Sequence, residues 1–571
     1  MEISERMLLS GDEAVALAAY EAGVKLGTGY PGTPSTEILE AFSELGGHGQ
    51  WSPNEKVAFE VAMGASYGGA RTIVTMKHVG LNVAADALFT TAYTDVEGAL
   101  IVVSADDPGM ASSQNEQDNR HYAVAAAVPM LEPSDSQEAY EFTHKAIEIS
   151  ERWKIPVMLR LTTRVCHAKT IVRVDPALAT KPAEPIYEKK ISRRVMIPAN
   201  ARPAHRRLRI KLAEIAKWNE ESGPNRISPP HTIDALPLGR GGLGRASDSL
   251  ETERLVEGSD SLPFTEGEKA SVGIVCSGIS YVHAREAAPD AAILKLGMTY
   301  PIPLNTIREF AKTVDRCVVI EEGDPWLADA IRAAGISVED KPEMYRFNEL
   351  NVERIRRILA GDTTPEQAPP PGKPPELCAG CPHRYVFQTL RDLNCIVSGD
   401  IGCYTLGALP PFEALEMMVC MGAAIGMGLG LRHVLPADQS ARVVSVIGDS
   451  TFAHSGITGL VEMVYNPPPD GHVVIILDNG TTAMTGMQEH PGTGRALNHE
   501  RTNKVIFEDL AKSLGIDRVH VVDPKLDGGT FAGLVKDCLD SRELAVIIAR
   551  SSCLLAAGKI KLMEKQIEQQ A

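Results

Sequence analysis

The chain has 571 residues, too many for one hydrophobic core, and the usual size of domains sets an expectation of about three or four units. A formal charge of -17 gives a surface field that repels polyanions, so neither nucleic acid nor an anionic membrane is an expected partner, and small anionic substrates must rely on local donors. The start, Met1-Glu2-Ile3-Ser4-Glu5, is acidic and lacks a basic or apolar leader, and no apolar run reaches the roughly eighteen residues of a membrane helix. Ten cysteines with one tight Cys378-Ala-Gly-Cys381 pair suit metal ligation in a reducing compartment, so the cytoplasm is the expected location.

From Gly11 to about Arg173, helical stretches alternate with short apolar strands such as Thr72-Ile73-Val74-Thr75 and Ala99-Leu100-Ile101-Val102-Val103, which is α/β patterning. These strands lead into Lys77-His78-Val79-Gly80 and Ser104-Ala105-Asp106-Asp107-Pro108-Gly109, where open parallel sheets carry ligand loops. Tyr30-Pro31-Gly32-Thr33-Pro34-Ser35 reads as a turn in which Thr33 or Ser35 caps the next helix. Lys77 and His78 read either as donors or a proton relay, or as a solvated strand end. Between about Val174 and Glu268 the pattern breaks up. A basic segment from Lys189 to Lys217, expected to be solvated or subunit-facing, contains one helix at Leu208 to Trp218, and Gly- and Pro-rich sequence follows from Pro229 to Gly244. A second α/β run starts at Ala270-Ser271-Val272-Gly273-Ile274-Val275-Cys276 and closes near Leu359. Three consecutive prolines, Pro369 to Pro371, then lead to a third α/β unit with buried strands at Val443–Ile447 and Val473–Leu477. The expected organisation is residues 1–180, a connector at 181–267, a small domain at 268–362, a linker at 363–376 and a last domain at 377–571.

The strand ending at Ile447 runs into Gly448-Asp449-Ser450, and about thirty residues later the next strand ends in Asp478-Asn479-Gly480. Glycine lets backbone approach a phosphate, Asp449 offers a hard anionic oxygen, Asn479 a neutral carbonyl, and a backbone carbonyl near Thr481 completes the set. This pattern suits a magnesium diphosphate site. The same residue pairs also make ordinary strand-end turns. A helix after Gly456 is expected to aim its N-terminus at the same charge. Cys378 and Cys381 form a knuckle that by itself reads as zinc as readily as iron–sulfur. Cys276, Cys317 and Cys420 sit in apolar stretches and are read as core packing.

Several motifs in order carry a resemblance: Tyr30-Pro31-Gly32-Thr33-Pro34-Ser35-Thr36-Glu37, Asn54-Glu55-Lys56-Val57-Ala58, Ser113-Gln114-Asn115-Glu116-Gln117-Asp118, Leu296-Gly297-Met298-Thr299-Tyr300-Pro301, Cys381-Pro382-His383, Gly399-Asp400-Ile401-Gly402-Cys403-Tyr404, and Gly448-Asp449-Ser450-Thr451-Phe452 with Asp478-Asn479. On these the chain resembles the thiamine-diphosphate-dependent 2-oxoacid:ferredoxin oxidoreductases, and among them the alpha-subunit family of indolepyruvate ferredoxin oxidoreductase. The resemblance implies an α/β, thiamine-diphosphate-binding fold with two doubly wound parallel-sheet domains and a smaller transketolase-C-like α/β domain. It implies that the first domain grips the cofactor's aminopyrimidine, with Tyr30, Pro31 and Glu55, and that the last grips its diphosphate, with Gly402, Gly448, Asp449, Ser450, Asn479 and Thr481. Glu55 takes the place of the acid that shares a proton with the pyrimidine ring. Without the resemblance, Glu55 reads as an acid at a helix N-terminus after Asn54. Thr33 falls where a hydroxyl contacts the 2-oxoacid, and His78 joins the catalytic candidates.

The resemblance also adds Cys403 and Cys553 to Cys378 and Cys381 as ligands of one [4Fe–4S] cluster. It further implies Mg2+, coenzyme A, a small gamma-like (beta) subunit, ferredoxin or another electron acceptor, and a dimer of heterodimers. Two departures stand out. The family's ferredoxin-like tail has no counterpart here, since no cysteine follows Cys553 before Ala571. The loop Ser104–Gly109 offers Asp106 and Asp107 where pyruvate-specific relatives place an arginine. Met484 is read either as shaping a roomier apolar pocket or as core. The expected activity is oxidative decarboxylation of an aryl- or bulky 2-oxoacid of the indolepyruvate type. The alternative is a non-oxidative thiamine-diphosphate decarboxylase, carboligase or lyase.

Overall fold

A computed structural model describes residues 6–230, 269–367, 372–526, 528–558 and 561–562. Residues 231–244 of the Gly- and Pro-rich connector and the prolines at 369–371 lie outside the described residues. The chain divides into two compact units, Met1–Gly49 with Glu55–Gln367, and Gln50–Asn54 with Ala368–Ala571. No helix among the described residues is long and apolar enough to cross a membrane.

In the first unit, the strands Leu26–Gly29, Thr72–Lys77, Leu100–Asp106, Val157–Thr162 and Met130–Leu131 pair in parallel in that order. The three central strands are buried along their whole length, because helices cover both faces of a parallel sheet. Their near-continuous apolar sequence follows from that. The helix Gly11–Glu21 starts on a reciprocal cap, with Glu13 N–H donating to Ser10 Oγ and Ser10 N–H to the Glu13 carboxylate. A second sheet in this unit runs Val314–Ile320, Ala270–Ser277, Ala292–Leu296 and Arg226–Ser228, the last antiparallel. The chain then passes from Leu296 to Met298–Tyr300, which adds antiparallel to Met130–Leu131 of the first sheet. Buried ion pairs secure this junction: Arg120 bonds Asp118 at 2.6 Å and Glu321 at 2.5 Å, and Lys295 bonds Glu138 at 2.5 Å.

The helix expected at Leu208 to Trp218 is a longer one, Pro198–Ser222, whose Pro198 sits at the first turn, where no N–H is needed. Two lysines of the largely exposed basic segment around it pair with acids of the same unit. Lys211 lies 2.9 Å from Asp95, and Lys190 lies 2.8 Å from Glu97.

The second unit is built on one sheet in the order Leu415–Met417, Ile396–Ser398, Val443–Gly448, His472–Asp478, Leu544–Arg550, Arg518–Val522, parallel throughout. Apolar clusters cover both of its faces. The helix expected after Gly456 begins earlier, at Asp449 itself, and continues through a π-turn at Phe452–Gly456 to Tyr465. The fully buried Phe452 packs edge-on against Phe507, and Gly456 sits where a Cβ would come within 2.7 Å of Ile447 and 2.9 Å of Phe452. Asn54 belongs to this unit and donates through Nδ2 to His454 O at 2.8 Å.

Candidate functional site

Two adjacent parallel strands of the second unit, Val443–Gly448 and His472–Asp478, bring their carboxyl ends together and so place Asp449 beside Asn479. Asp449 Oδ2 accepts the backbone N–H groups of Asn479 at 3.0 Å and Gly480 at 2.8 Å, and Oδ1 accepts Ser450 N–H at 2.8 Å. His490 Nε2 lies 3.2 Å from Oδ2 without the alignment of a hydrogen bond. Burial pushes the Asp449 carboxyl up, but the imidazole and the N–H donors outweigh it and hold the group below its ordinary value. Asn479 Oδ1 accepts Thr481 N–H at 3.0 Å, and Thr482 Oγ1 donates to Ser450 Oγ at 2.8 Å. Tyr404 lies over Gly448, where a Cβ would come within 2.7 Å of the ring, so Gly402 and Gly448 share one aromatic cover. Gly402, Gly448, Asp449, Ser450, Asn479 and Thr481 thus form one cluster at a helix N-terminus. An ionised aspartate, an amide oxygen and first-turn N–H groups together fit a hard divalent cation carrying an anionic ligand.

The candidate thiols belong to the same unit. Cys381 N–H donates to Cys378 O at 3.0 Å, closing the knuckle. Just past the strand end at Arg550, Ser551 N–H donates to Asp478 O and Cys553 N–H to Asn479 O, each at 3.0 Å. Burial pushes Cys403 up to about 11 and raises Cys381, and in each case other thiols of the set add to the rise, so the four share one electrostatic neighbourhood. Among the described residues, no three of these sulfurs lie within 4.8 Å of one another. A tetrahedral zinc with bonds of about 2.3 Å holds its sulfurs roughly 3.8 Å apart. No three of the four sulfurs meet that spacing among the described residues.

His383 links the two groups. It is buried, its Nε2 lies 3.4 Å from Asn479 Nδ2, and burial lowers its pKa to about 4. Two readings of this unit change. Cys420 is exposed rather than core, unlike the buried Cys276 and Cys317. Met484 is 53% exposed and does not pack as core. Sequence reasoning gave Asp400 no role of its own, yet its buried carboxylate accepts Gly422 N–H and Ala424 N–H, each at 3.0 Å, at the start of the helix Ala423–Val434. Burial raises its pKa to about 6. Its only signal was the motif Gly399–Tyr404.

In the first unit, Tyr30 and Pro31 are buried and Thr33 is half-buried. Neither proposed hydroxyl caps the helix Thr36–Glu44: Ser35 stands at the cap position but donates back to Gly32 O at 3.0 Å, and Thr36 Oγ1 takes Gly32 N–H. The Thr33 hydroxyl is left free of hydrogen bonds among the described residues. Glu55 opens the helix Glu55–Tyr67 and is buried against Gly80, where a Cβ would stand 2.6 Å from its Oε1. Lys77 and His78 are buried rather than solvated. Lys77 Nζ donates to Ser112 O at 2.7 Å, and His78 Nε2 lies 3.2 Å from Asn115 O while Nδ1 has no hydrogen-bond partner among the described residues. Burial lowers the pKa of both. The acidic pair is internal: Asp106 bonds Arg160 at 2.8 Å, and Asp107 accepts Ser112 N–H at 2.9 Å and Thr163 Oγ1 at 3.0 Å.

Residues 17–208 match the family described as pyruvate flavodoxin/ferredoxin oxidoreductase, thiamine diphosphate-binding, and residues 400–549 match the C-terminal thiamine pyrophosphate binding domain of thiamine pyrophosphate enzymes. Over 589 aligned residues the chain is 37% identical to indolepyruvate oxidoreductase subunit IorA of Methanothermobacter thermautotrophicus, spanning 98% of this chain and 88% of that relative. The chain belongs to the IorA family. A second IorA relative, from Archaeoglobus fulgidus, is 35% identical over 599 residues, spanning 99% of this chain and 89% of that one. The two IorA-family units described above are therefore thiamine-diphosphate-binding, the first through residues 17–208 and the second through residues 400–549. A solved 2-oxoglutarate:ferredoxin oxidoreductase from Magnetococcus marinus aligns with a TM-score of 0.47 at 16% identity, over 63% of this chain and 66% of that one, too loosely to place any residue.

Proposed function

We propose that this chain is the thiamine-diphosphate-binding subunit of an oxidoreductase that oxidatively decarboxylates an aryl- or bulky 2-oxoacid of the indolepyruvate type. One observation carries the oxidative reading: Cys553, a candidate cluster ligand, donates its N–H to the carbonyl of Asn479, a candidate magnesium ligand. A redox centre and a diphosphate anchor at the ends of one strand pair suit electron removal beside the reacting cofactor.

Asp449, Asn479 and the Thr481 carbonyl are assigned to Mg2+, and Gly402, Gly448 and Ser450 to the diphosphate. Cys378, Cys381, Cys403 and Cys553 are assigned to one [4Fe–4S] cluster. Tyr30, Pro31 and Glu55 are assigned to the aminopyrimidine end. Thiamine diphosphate, when bound, supplies the electron sink that makes loss of carbon dioxide feasible. Glu55, fixed against Gly80, shares a proton with the pyrimidine ring nitrogen. The free Thr33 hydroxyl donates to the substrate carboxylate. His78, kept neutral by burial, holds a proton site at Nδ1. The proposal extends to the domain division at 1–180, 268–362 and 377–571, to a cytoplasmic location and to coenzyme A as acyl acceptor. It also includes a small gamma-like (beta) subunit, ferredoxin or another electron acceptor, and a dimer of heterodimers.

The test is the visible and EPR spectrum of anaerobically purified protein, before and after thiamine diphosphate, magnesium, indolepyruvate and coenzyme A. A broad iron–sulfur band that bleaches with substrate is the expected result. A colourless protein that still releases carbon dioxide would replace this reading with a non-oxidative decarboxylase or carboligase.

A further inference from the structure

Asp12, in the first turn of the helix Gly11–Glu21, is 1% exposed, and neither of its carboxylate oxygens has a hydrogen-bond partner among the described residues. Its neighbour Glu13 is fully employed, by Ser10 N–H and by Lys169 Nζ at 3.0 Å. The buried Cys166 thiol beside Asp12 is a weak donor. Burying a carboxylate with no partner costs several kcal/mol unless it takes up a proton or meets a cation.

Two further ligand groups converge on Asp12. Glu37 lies in the first turn of the helix Thr36–Glu44, and His167 ends the short helix Thr163–His167. One ligand atom from each of Asp12, Glu37 and His167 lies within 4.8 Å of the other two. Asp12 forms the buried floor, and Glu37 and His167 are exposed above it. The side chains of Glu37 and His167 make no other hydrogen bond or ion pair among the described residues. The backbone frame is tight: a Cβ on Gly11 would come within 2.3 Å of Val165 O, so the first helix starts directly on the turn that carries His167. Helix dipoles favour carboxylates at both N-termini, but a dipole offers Asp12 no atom to bond and does nothing for a second acid brought beside it.

We propose that Asp12, Glu37 and His167 bind one divalent transition-metal ion. Two carboxylates with one imidazole are a ligand set for a cation of the Zn2+ or Mn2+ class rather than for Ca2+ or Mg2+, which take oxygen alone. Bonds of about 2.0–2.2 Å space ligand atoms roughly 3–4.3 Å apart, so small side-chain rotations turn this cluster into a coordination shell. The remaining positions belong to water, since Glu37 and His167 leave the site open outward. The ion ties together the starts of two helices and the end of a third. One of those starts, Thr36–Glu44, directly follows the Thr33 loop.

The test uses the full chain saturated with magnesium and thiamine diphosphate, so that the other cation site is filled, and Mn2+ as probe because it disfavours thiolates. The native chain is expected to bind Mn2+ with a nitrogen coupling in pulsed EPR and to melt at higher temperature when Mn2+ is added. His167→Gln, at an exposed position, is expected to lose the nitrogen coupling and weaken Mn2+ binding roughly tenfold or more. Asp12→Asn is expected to abolish both the binding and the thermal shift. Identical nitrogen-coupled spectra in the native chain and His167→Gln, or a native chain with no nitrogen-coupled Mn2+ at all, would overturn the proposal. Glu37→Gln guards against misfolding, because it too is exposed and should weaken binding while the metal-free melting temperature stays unchanged.

Discussion

Asp449 accepts three backbone N–H groups and faces an imidazole, so at neutral pH it is a fixed negative charge at a helix start. Asp449→Ala is expected to weaken magnesium-dependent binding of thiamine diphosphate about 100-fold, measured by calorimetry. Unchanged affinity would sink the diphosphate assignment. At Gly80, a methyl group would collide with the Glu55 carboxyl, and overpacking of this kind costs about 1–3 kcal/mol. Gly80→Ala should therefore imitate Glu55→Gln: a fall in kcat with diphosphate affinity retained. A Gly80→Ala enzyme with native turnover would show that the position of Glu55 does not matter. Asp449 and Asn479 were legible in the sequence because neighbouring parallel strands end at one level and their end residues must meet. His490 and Asp400 were not, since the contacts that give them roles come through loops whose course no periodicity encodes.

At the scale of elements, the apolar strands announced themselves, because burial on both faces removes polar alternation. Helix starts were harder. The helix expected after Gly456 instead runs through it as a π-turn, and the glycine is there because its neighbours leave no room for a Cβ. The ion pairs joining the two sheets of the first unit were invisible, since Arg120 and Glu321 stand 201 positions apart. Glu321 also accepts the N–H groups of Leu327 and Ala328, which start the helix Trp326–Ala333. Glu321→Ala leaves the Arg120 guanidinium buried beside one acid fewer and is expected to cost about 3–5 kcal/mol in urea unfolding. A loss below about 1 kcal/mol would mean that Asp118 alone satisfies the arginine.

Over the whole molecule, acid should be destabilising. His144 and His472 are buried and neutral, with pKa values lowered by burial to about 4 and about 3. On unfolding they take up protons below about pH 6.5, so the unfolded chain binds more protons and stability falls as pH drops from there toward 4. Asp400 and Glu322, raised by burial to about 6 and about 7, act in the opposite sense, since the folded chain holds their protons longer. His383, lowered by burial to about 4, adds to these two histidines, so the expected result is a melting temperature that declines between pH 6.5 and pH 4. A flat or rising profile would show that the carboxyls dominate.

The bond from Cys553 N–H to Asn479 O is made by main chain alone. Every residue but proline can make it, so exchange of the sulfur, as in Cys553→Ser, leaves the path of the polypeptide untouched, whereas Cys553→Pro removes sulfur and tether together. The proposed electron acceptor is therefore held to the proposed cation site by a link that survives exchange of either side chain and yields only to a change in the backbone.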